Sequence, residues 1–196
     1  MSPLPARSRT EAGFTLVELM VTLGILAVVT LTLTTILLSS NRLQSRTVTR
    51  AEVQASTRQA LSIMTTELRQ AGADPSNPPA GIVGIAHADS GNVHIRADLS
   101  GDGAIQTAEP SEDVTYNWNP ATQTLSRDPG TGAATLLTNV SSLRFTYFDA
   151  SNNPLTALPL SVSDAALVHV IGITMTTQGR DSHPLTLTTK VTLRNM

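Results

Sequence analysis

The stretch from Phe14 to Leu38 constrains this chain more than any other part of it. It contains no Lys, Arg, Asp or Pro, and its one charge is Glu18. As a helix rising about 1.5 Å per residue it extends roughly 37 Å, enough to cross the ~30 Å hydrocarbon layer of a bilayer. Glu18 separates it from an ordinary span, because a lone carboxylate carried to mid-bilayer costs roughly 2.5 kcal/mol or more. A short polar leader, MSPLPARSRTEAG, precedes it, with Arg7, Arg9 and a small residue, Gly13, at the junction.

Three readings compete for this arrangement. A secretory signal peptide has a shorter apolar region and an A-x-A-like cleavage site at its far end, whereas Ser39-Ser40-Asn41-Arg42 follows here. A plain signal anchor accounts for the length and the arginines but leaves Glu18 unexplained. In the third reading the cut falls before the apolar run, and Phe14 becomes the new amino terminus.

Gly13-Phe14-Thr15-Leu16-Val17-Glu18-Leu19 resembles the amino terminus of type IV prepilins and type II secretion pseudopilins. The resemblance implies that a prepilin peptidase cuts between Gly13 and Phe14 on the cytoplasmic side and N-methylates Phe14. It further implies insertion in the inner membrane, then assembly with other pilin subunits by a dedicated ATPase and an inner-membrane assembly platform. Physics supplies a role for Glu18. Among packed apolar helices a carboxylate needs a cation, and the α-amino group of a neighbour's Phe14 is the expected one, fixing the stagger between subunits.

The chain has 196 residues and a formal charge of −2, which suits one anchor and one head and gives no global basic field for nucleic acid. Nucleic acid is therefore not expected as its main partner; a basic stripe interleaved with aromatics is also missing. Cysteine is absent. A head expected in the periplasm or beyond must hold together without disulfides, a departure from major pilins that close a carboxy-terminal loop with one. Arg7 and Arg9 favour a cytoplasmic leader, with Arg42 and Arg46 following the span.

The expected organisation is a leader over 1–13, a membrane or filament-core helix over 14–38, an amphipathic continuation over 39–72 and a β-rich head over 73–196. Ala27 to Thr35 is rich in β-branched residues, weak helix formers that lipid should nonetheless keep helical. Val53, Ala60, Met64, Leu68 and Ala71 form an apolar stripe, while Arg50, Glu52, Arg58, Glu67 and Arg69 fall largely elsewhere. Gly72 and the Pro75, Pro78, Pro79 cluster end the helix. The segment LSIMTTELRQAGAD also resembles the helix end of PilW-type minor pilins and J-type minor pseudopilins.

Beyond it, β-favouring runs cover Ile82–Ala86, Asn92–Ala97, Asp113–Trp118, Thr124–Arg127, Thr135–Leu137, Leu143–Phe148, Leu167–Thr177 and Leu185–Arg194. The run around Val168-Val170-Gly172-Thr174 reads as a strand covered on both faces. Thr186 to Leu193 alternates like a strand with one wet face, joined to it by a hairpin over Gln178–His183. The expected fold is α+β: the long helix packed on an antiparallel sheet, as in type IV pilins. Tyr116, Trp118, Phe145, Tyr147 and Phe148 are expected in the sheet core or in cross-strand pairs.

Asp98-Leu-Ser-Gly-Asp-Gly-Ala-Ile-Gln-Thr-Ala-Glu109 aligns with the calcium loop D-x-[DN]-x-[DN]-G-x5-E, with Ser100 at the third position as a departure. In that spacing Asp98, Ser100 and Asp102 face inward from a turn that Gly103 permits. Ala104 offers its carbonyl, Gln106 ligates directly or through water, Glu109 closes the shell and Ile105 anchors the loop. A structural Ca2+ ion is the expectation; a polar turn between strands is the plainer alternative. His87, His94, His169 and His183 lack metal spacing, although His87 and His94 approach each other if they face across a hairpin. No G-x-S-x-G, Walker loop or HExxH is present, so an enzyme is not indicated.

The reading that follows is a minor pilin of a type IV pilus, priming or decorating a filament used for adhesion, motility or DNA uptake. A minor pseudopilin of a type II secretion system is the alternative. A calcium-dependent adhesin on a pilin anchor is the alternative from another class.

Overall fold

The structure, a computed structural model, describes residues 15–107, 112–179 and 184–195, and for 41–49 the backbone alone. Helix α1 (Leu16–Gln70) opens the described chain. The chain divides into two compact units, Met1–Thr47 and Val48–Met196, each taken here by itself.

In the first unit Thr15 caps the helix. Its hydroxyl accepts from the Glu18 N–H at 3.3 Å and its carbonyl from the Leu19 N–H at 3.2 Å. The apolar part, Leu16–Ser40, has a mean hydropathy of 2.3 and no buried residue. Its threonines keep their polarity to themselves. The hydroxyls of Thr30, Thr32 and Thr34 donate to the carbonyls of Leu26, Val28 and Thr30 at 2.7, 2.8 and 2.7 Å. Thr22, Thr35 and Ser39 do the same to carbonyls three residues back. This back-bonding explains how a hydroxyl-rich, β-branched run suits an apolar medium: each donor is satisfied within the helix.

In the second unit the helix lays Ala60, Leu61, Met64, Leu68 and Ala71 into the core, each at most 8% exposed, with Val53 half-buried at the near end. The helix stops where Gly72 takes a φ of +75°, a left-handed turn that L side chains resist. The Gly72 N–H then donates to the Arg96 carbonyl at 2.9 Å, and the Asp98 N–H donates to the Ala73 carbonyl at 2.8 Å. Those two bonds fasten the helix end to the sheet.

Two antiparallel sheets complete the head, where a single one was expected. The first is a five-stranded meander of β1 (Ile85–Ala88), β2 (Asn92–Arg96), β3 (Asp113–Asn119), β4 (Thr124–Asp128) and β5 (Ala134–Leu137). The second has four strands in the order β7-β6-β8-β9, with β6 (Val140–Phe148), β7 (Pro154–Leu155), β8 (Val170–Gln178) and β9 (Pro184–Thr192). The break between them falls at Asn139, whose φ of +58° turns the chain out of β5 and into β6. Links between the sheets are direct: Phe145 N–H to the Ser90 carbonyl at 2.8 Å, and Trp118 Nε1–H to the Val140 carbonyl at 2.9 Å.

Several boundaries shift for local reasons. The first strand begins at Ile85 rather than Ile82, because the Asp74 carboxylate holds the N–H groups of Gly81 and Ile82 in a loop. Leu167 to His169 is not strand. It follows the short helix α2 (Val162–Ala165), unforeseen in the sequence, and Leu167 and Val168 bond back to Asp164 and Ala165. The hairpin between β8 and β9 lies partly outside the described residues.

The expectation that β8 is covered on both faces is corrected. Ile171, Ile173, Met175 and Thr177 are buried, but Thr174 and Thr176 on the other face are half-exposed and bond across to Thr188 and Thr186 at 3.4 and 2.9 Å. Gly172 is buried there with Thr146 and Phe148 beside it; a Cβ at Gly172 would run into the Thr146 hydroxyl. The Lys190 ammonium caps the Phe148 ring at 4.5 Å from its centre. The apparent two-sided pattern thus comes from one close approach, not from a covering layer.

Candidate functional site: assembly segment and acidic loop

Glu18 stands in the first helical turn, exposed, as the third residue after the capping Thr15. Thr15-x-x-Glu18 has the spacing of a capping box, and a carboxylate there also complements the positive end of the helix. The motif is therefore locally self-consistent at the very turn where the expected pairing would occur. No side-chain partner for Glu18 occurs among the described residues. Gly13 and Phe14, the expected processing junction, lie outside the described residues.

The acidic loop is organised around two buried carboxylates. Asp98, fully buried, accepts from the Gly101 N–H at 2.6 Å and the Ser100 hydroxyl at 3.2 Å through Oδ1, and from the Gly103 N–H at 2.8 Å through Oδ2. Asp102 accepts from the Ala104 N–H at 2.9 Å and from the Gln106 side-chain amide. Asp98 and Ser100 are therefore in contact, as are Asp102 and Gln106. Ile105 is half-buried, consistent with an anchor. Glu109, the expected closing ligand, lies outside the described residues.

Sequence reasoning missed Glu112. It is 2% exposed, and its Oε1 accepts from the N–H groups of Leu99 and Ser100 at 3.1 and 2.9 Å, its Oε2 from that of Gln106 at 3.0 Å. Burial works to raise its pKa, but the N–H donors of Gln106, Ser100 and Leu99 outweigh it and hold the carboxyl below the usual range. Glu112 ties the two ends of the loop together through the backbone donors of Leu99, Ser100 and Gln106. The only sequence signal was its place between a polar loop and the first residue of β3.

A second unforeseen group joins helix to sheet. Arg127 on β4 donates to Glu67 on α1 in a fork, Nε to both carboxylate oxygens at 3.0 Å and Nη2 to Oε1 at 2.7 Å. The Tyr116 hydroxyl on β3 donates to the same carboxylate. Burial and the neighbouring Glu67 charge push the Tyr116 phenol far above its ordinary pKa, and the Glu67 bond raises that of Arg127. Glu67 had been placed largely off the apolar stripe. Its spacing from Ala60, Met64 and Ala71 at seven, three and four residues was the signal that it faces inward.

His87 and His94 are partners in register between β1 and β2, and His94 also contacts Asp113 on β3. Among the described residues no three His, Asp or Glu side chains converge in a way that holds a metal ion. His169 lies in the turn before β8, and His183 is outside the described residues.

Compared with known families, residues 8–34 match the family model described as a prokaryotic N-terminal methylation motif. The match supports a prepilin-type, type IV pilin-like protein, a substrate of prepilin peptidase that assembles with other pilins. No curated protein matches the chain.

Proposed function

We propose that this prepilin-type chain is a minor pilin of a type IV pilus, priming or decorating a filament that serves adhesion, motility or DNA uptake. The single observation that carries the reading is the methylation motif over 8–34 running straight into the exposed apolar helix Leu16–Ser40. In this reading the leader 1–13 is removed between Gly13 and Phe14, and Phe14 is N-methylated. The helix holds the subunit in the inner membrane with the head in the periplasm until the subunit enters the filament. The exposed face of Leu16–Ser40 then exchanges lipid for neighbouring helices, and Glu18 meets a neighbour's Phe14 amino group. The role is structural rather than enzymatic. A minor pseudopilin of a secretion system uses the same anchor, and co-purification with pilus or with secretion components separates the two.

Co-expression with a prepilin peptidase and mass spectrometry of the membrane-extracted protein tests the processing. The expected product has lost Met1–Gly13 and gained one methyl group; an intact initiator methionine overturns the assignment.

Calcium belongs to the same proposal. Asp98, Ser100, Asp102, Gln106, Glu109 and the Ala104 carbonyl supply hard oxygen donors, the chemistry Ca2+ takes. Asp98 Oδ2 and the two Asp102 oxygens each accept one N–H bond, which leaves each a second lone pair for a cation. The ion would neutralise the loop's negative charge and brace it. Calorimetry of the full chain in detergent should show saturable heat with calcium, lost in Asp98→Asn; no heat in the parent removes the ion from the proposal.

A further inference from the structure

The carboxy-terminal end of α1 and the strand end after β9 enclose a cleft of about 340 Å³, lined by Thr66, Arg69, Gln70, Ala73, Arg194 and Asn195. Its polar side chains are two guanidiniums, two amides and a hydroxyl, with no carboxylate among the lining residues. The backbone on both sides is held firmly. Leu68 and Leu193, adjacent to the two arginines, are 0% and 1% exposed, and the Leu193 N–H donates to the His169 carbonyl at 2.9 Å.

Glu67 and Asp74, which flank this end of the helix in sequence, and Asp98, whose N–H donates to the Ala73 carbonyl, are engaged elsewhere. Glu67 is held by Arg127 and Tyr116, Asp74 by Ser76, Gly81 and Ile82, and Asp98 by Gly101 and Gly103. Neither Arg69 nor Arg194 has a hydrogen-bond or ion-pair partner among the described residues. Helix-end placement accounts for one arginine, since a cation there complements the dipole. It does not account for a second, arriving from the segment after β9 into the same cleft, whose lining side chains include no carboxylate.

We propose that this cleft binds a phosphate-bearing ligand. Charge matching selects the class: a phosphate monoester carries about −1.5 to −2 near neutral pH, which balances two guanidiniums, whereas a carboxylate balances one. Guanidinium forks also fit phosphoryl oxygens two at a time. The volume exceeds what the phosphoryl group alone fills and falls at the lower end of small-ligand sites. Gln70, Asn195 and Thr66 are left to hydrogen-bond the group that carries the phosphate. The site does not depend on the filament reading, because every residue in it belongs to the head.

The test is calorimetric titration of the full chain in a neutral detergent at low ionic strength, where screening is least. The probes are inorganic phosphate, acetate, glucose 6-phosphate and glycerophosphoglycerol, the last being the headgroup of phosphatidylglycerol. Saturable phosphate binding is expected, with acetate weaker. In the Arg69→Gln/Arg194→Gln double variant phosphate should bind at least about tenfold more weakly, the loss of two charge-assisted contacts. Lys190→Gln, on the outer face of the second sheet, should leave the affinity unchanged. Glucose 6-phosphate, a monoester, should bind at least as tightly as inorganic phosphate, which supports the site; glycerophosphoglycerol, a diester with a single charge, should bind more weakly, and tighter binding of the diester than of the monoester overturns the charge matching. Absence of saturation, acetate binding as tightly as phosphate, or a double variant that binds like the parent overturns the site.

Discussion

Helix α1 carries Glu18 in its first turn and Glu67 near its last, and the two carboxylates live under opposite conditions. Glu67 is gripped by an arginine fork from β4 and a tyrosine hydroxyl from β3. Glu18 sits exposed among exposed leucines and valines, satisfied by no side chain among the described residues. One charge completes the packing of helix on sheet; the other has no side-chain partner among the described residues. The same contrast holds for apolar surface. Met64 and Leu68 are fully buried within the head, while Leu16, Leu31 and Leu37 are each more than 60% exposed. The helix is closed over its head half and open over its amino-terminal half, the half that the proposed function gives to lipid and then to neighbouring helices.

That contrast can be broken at graded strengths. Met64→Ala should cost the head most, about 2–5 kcal/mol for a fully buried side chain, read as a lower denaturation midpoint. Arg127→Ala should cost somewhat less, about 2–3 kcal/mol. Removing one partner of a buried pair costs about 3–5, and the 21% exposure of the arginine side chain screens part of that. If Arg127→Ala leaves the midpoint unchanged, the clamp is ornamental and the comparison with Glu18 fails.

Glu112→Gln should have a smaller effect with a pH signature. The Glu112 carboxyl lies below its ordinary pKa in the folded state, so its contribution is complete above the unfolded value, about 4.3, and fades as pH falls through the folded value. The parent should therefore lose stability on acidification more steeply than Glu112→Gln; parallel pH profiles would contradict the assignment. Glu18→Ala should leave the thermal midpoint of the head where it was, yet abolish entry into filaments. Normal incorporation would remove Glu18 from assembly and sharpen the view that it serves only as a helix cap.

What could be read from the sequence was whatever repeats at short range. The stripe Ala60, Met64, Leu68, Ala71 follows from helical spacing, the methylation motif from contiguous residues, and most strands from β-favouring runs between turn formers. The misses are long-range or face-dependent. The Glu67–Arg127 pair spans sixty residues, a separation over which periodicity carries no information. The division into two sheets turns on the backbone of one residue, Asn139. Asp98 to Gln106 could be read as a polar turn, and Glu109 lies outside the described residues, but Glu112 was missed, because burial beside three donors does not register in spacing. Gly172 made an open face look covered, since glycine records a close approach without naming what approaches.

The connections at the end of α1 also decide where mechanical load goes. A pull arriving along the helix is handed to the sheets through the Thr57–Thr177 hydroxyl pair, the Glu67–Arg127 fork and the Gly72–Arg96 bond, which occur in that order along its length. They act in parallel, as rivets in shear rather than links in series. A tether built this way resists traction without relying on a covalent crosslink, which suits a head that has no cysteine to make one.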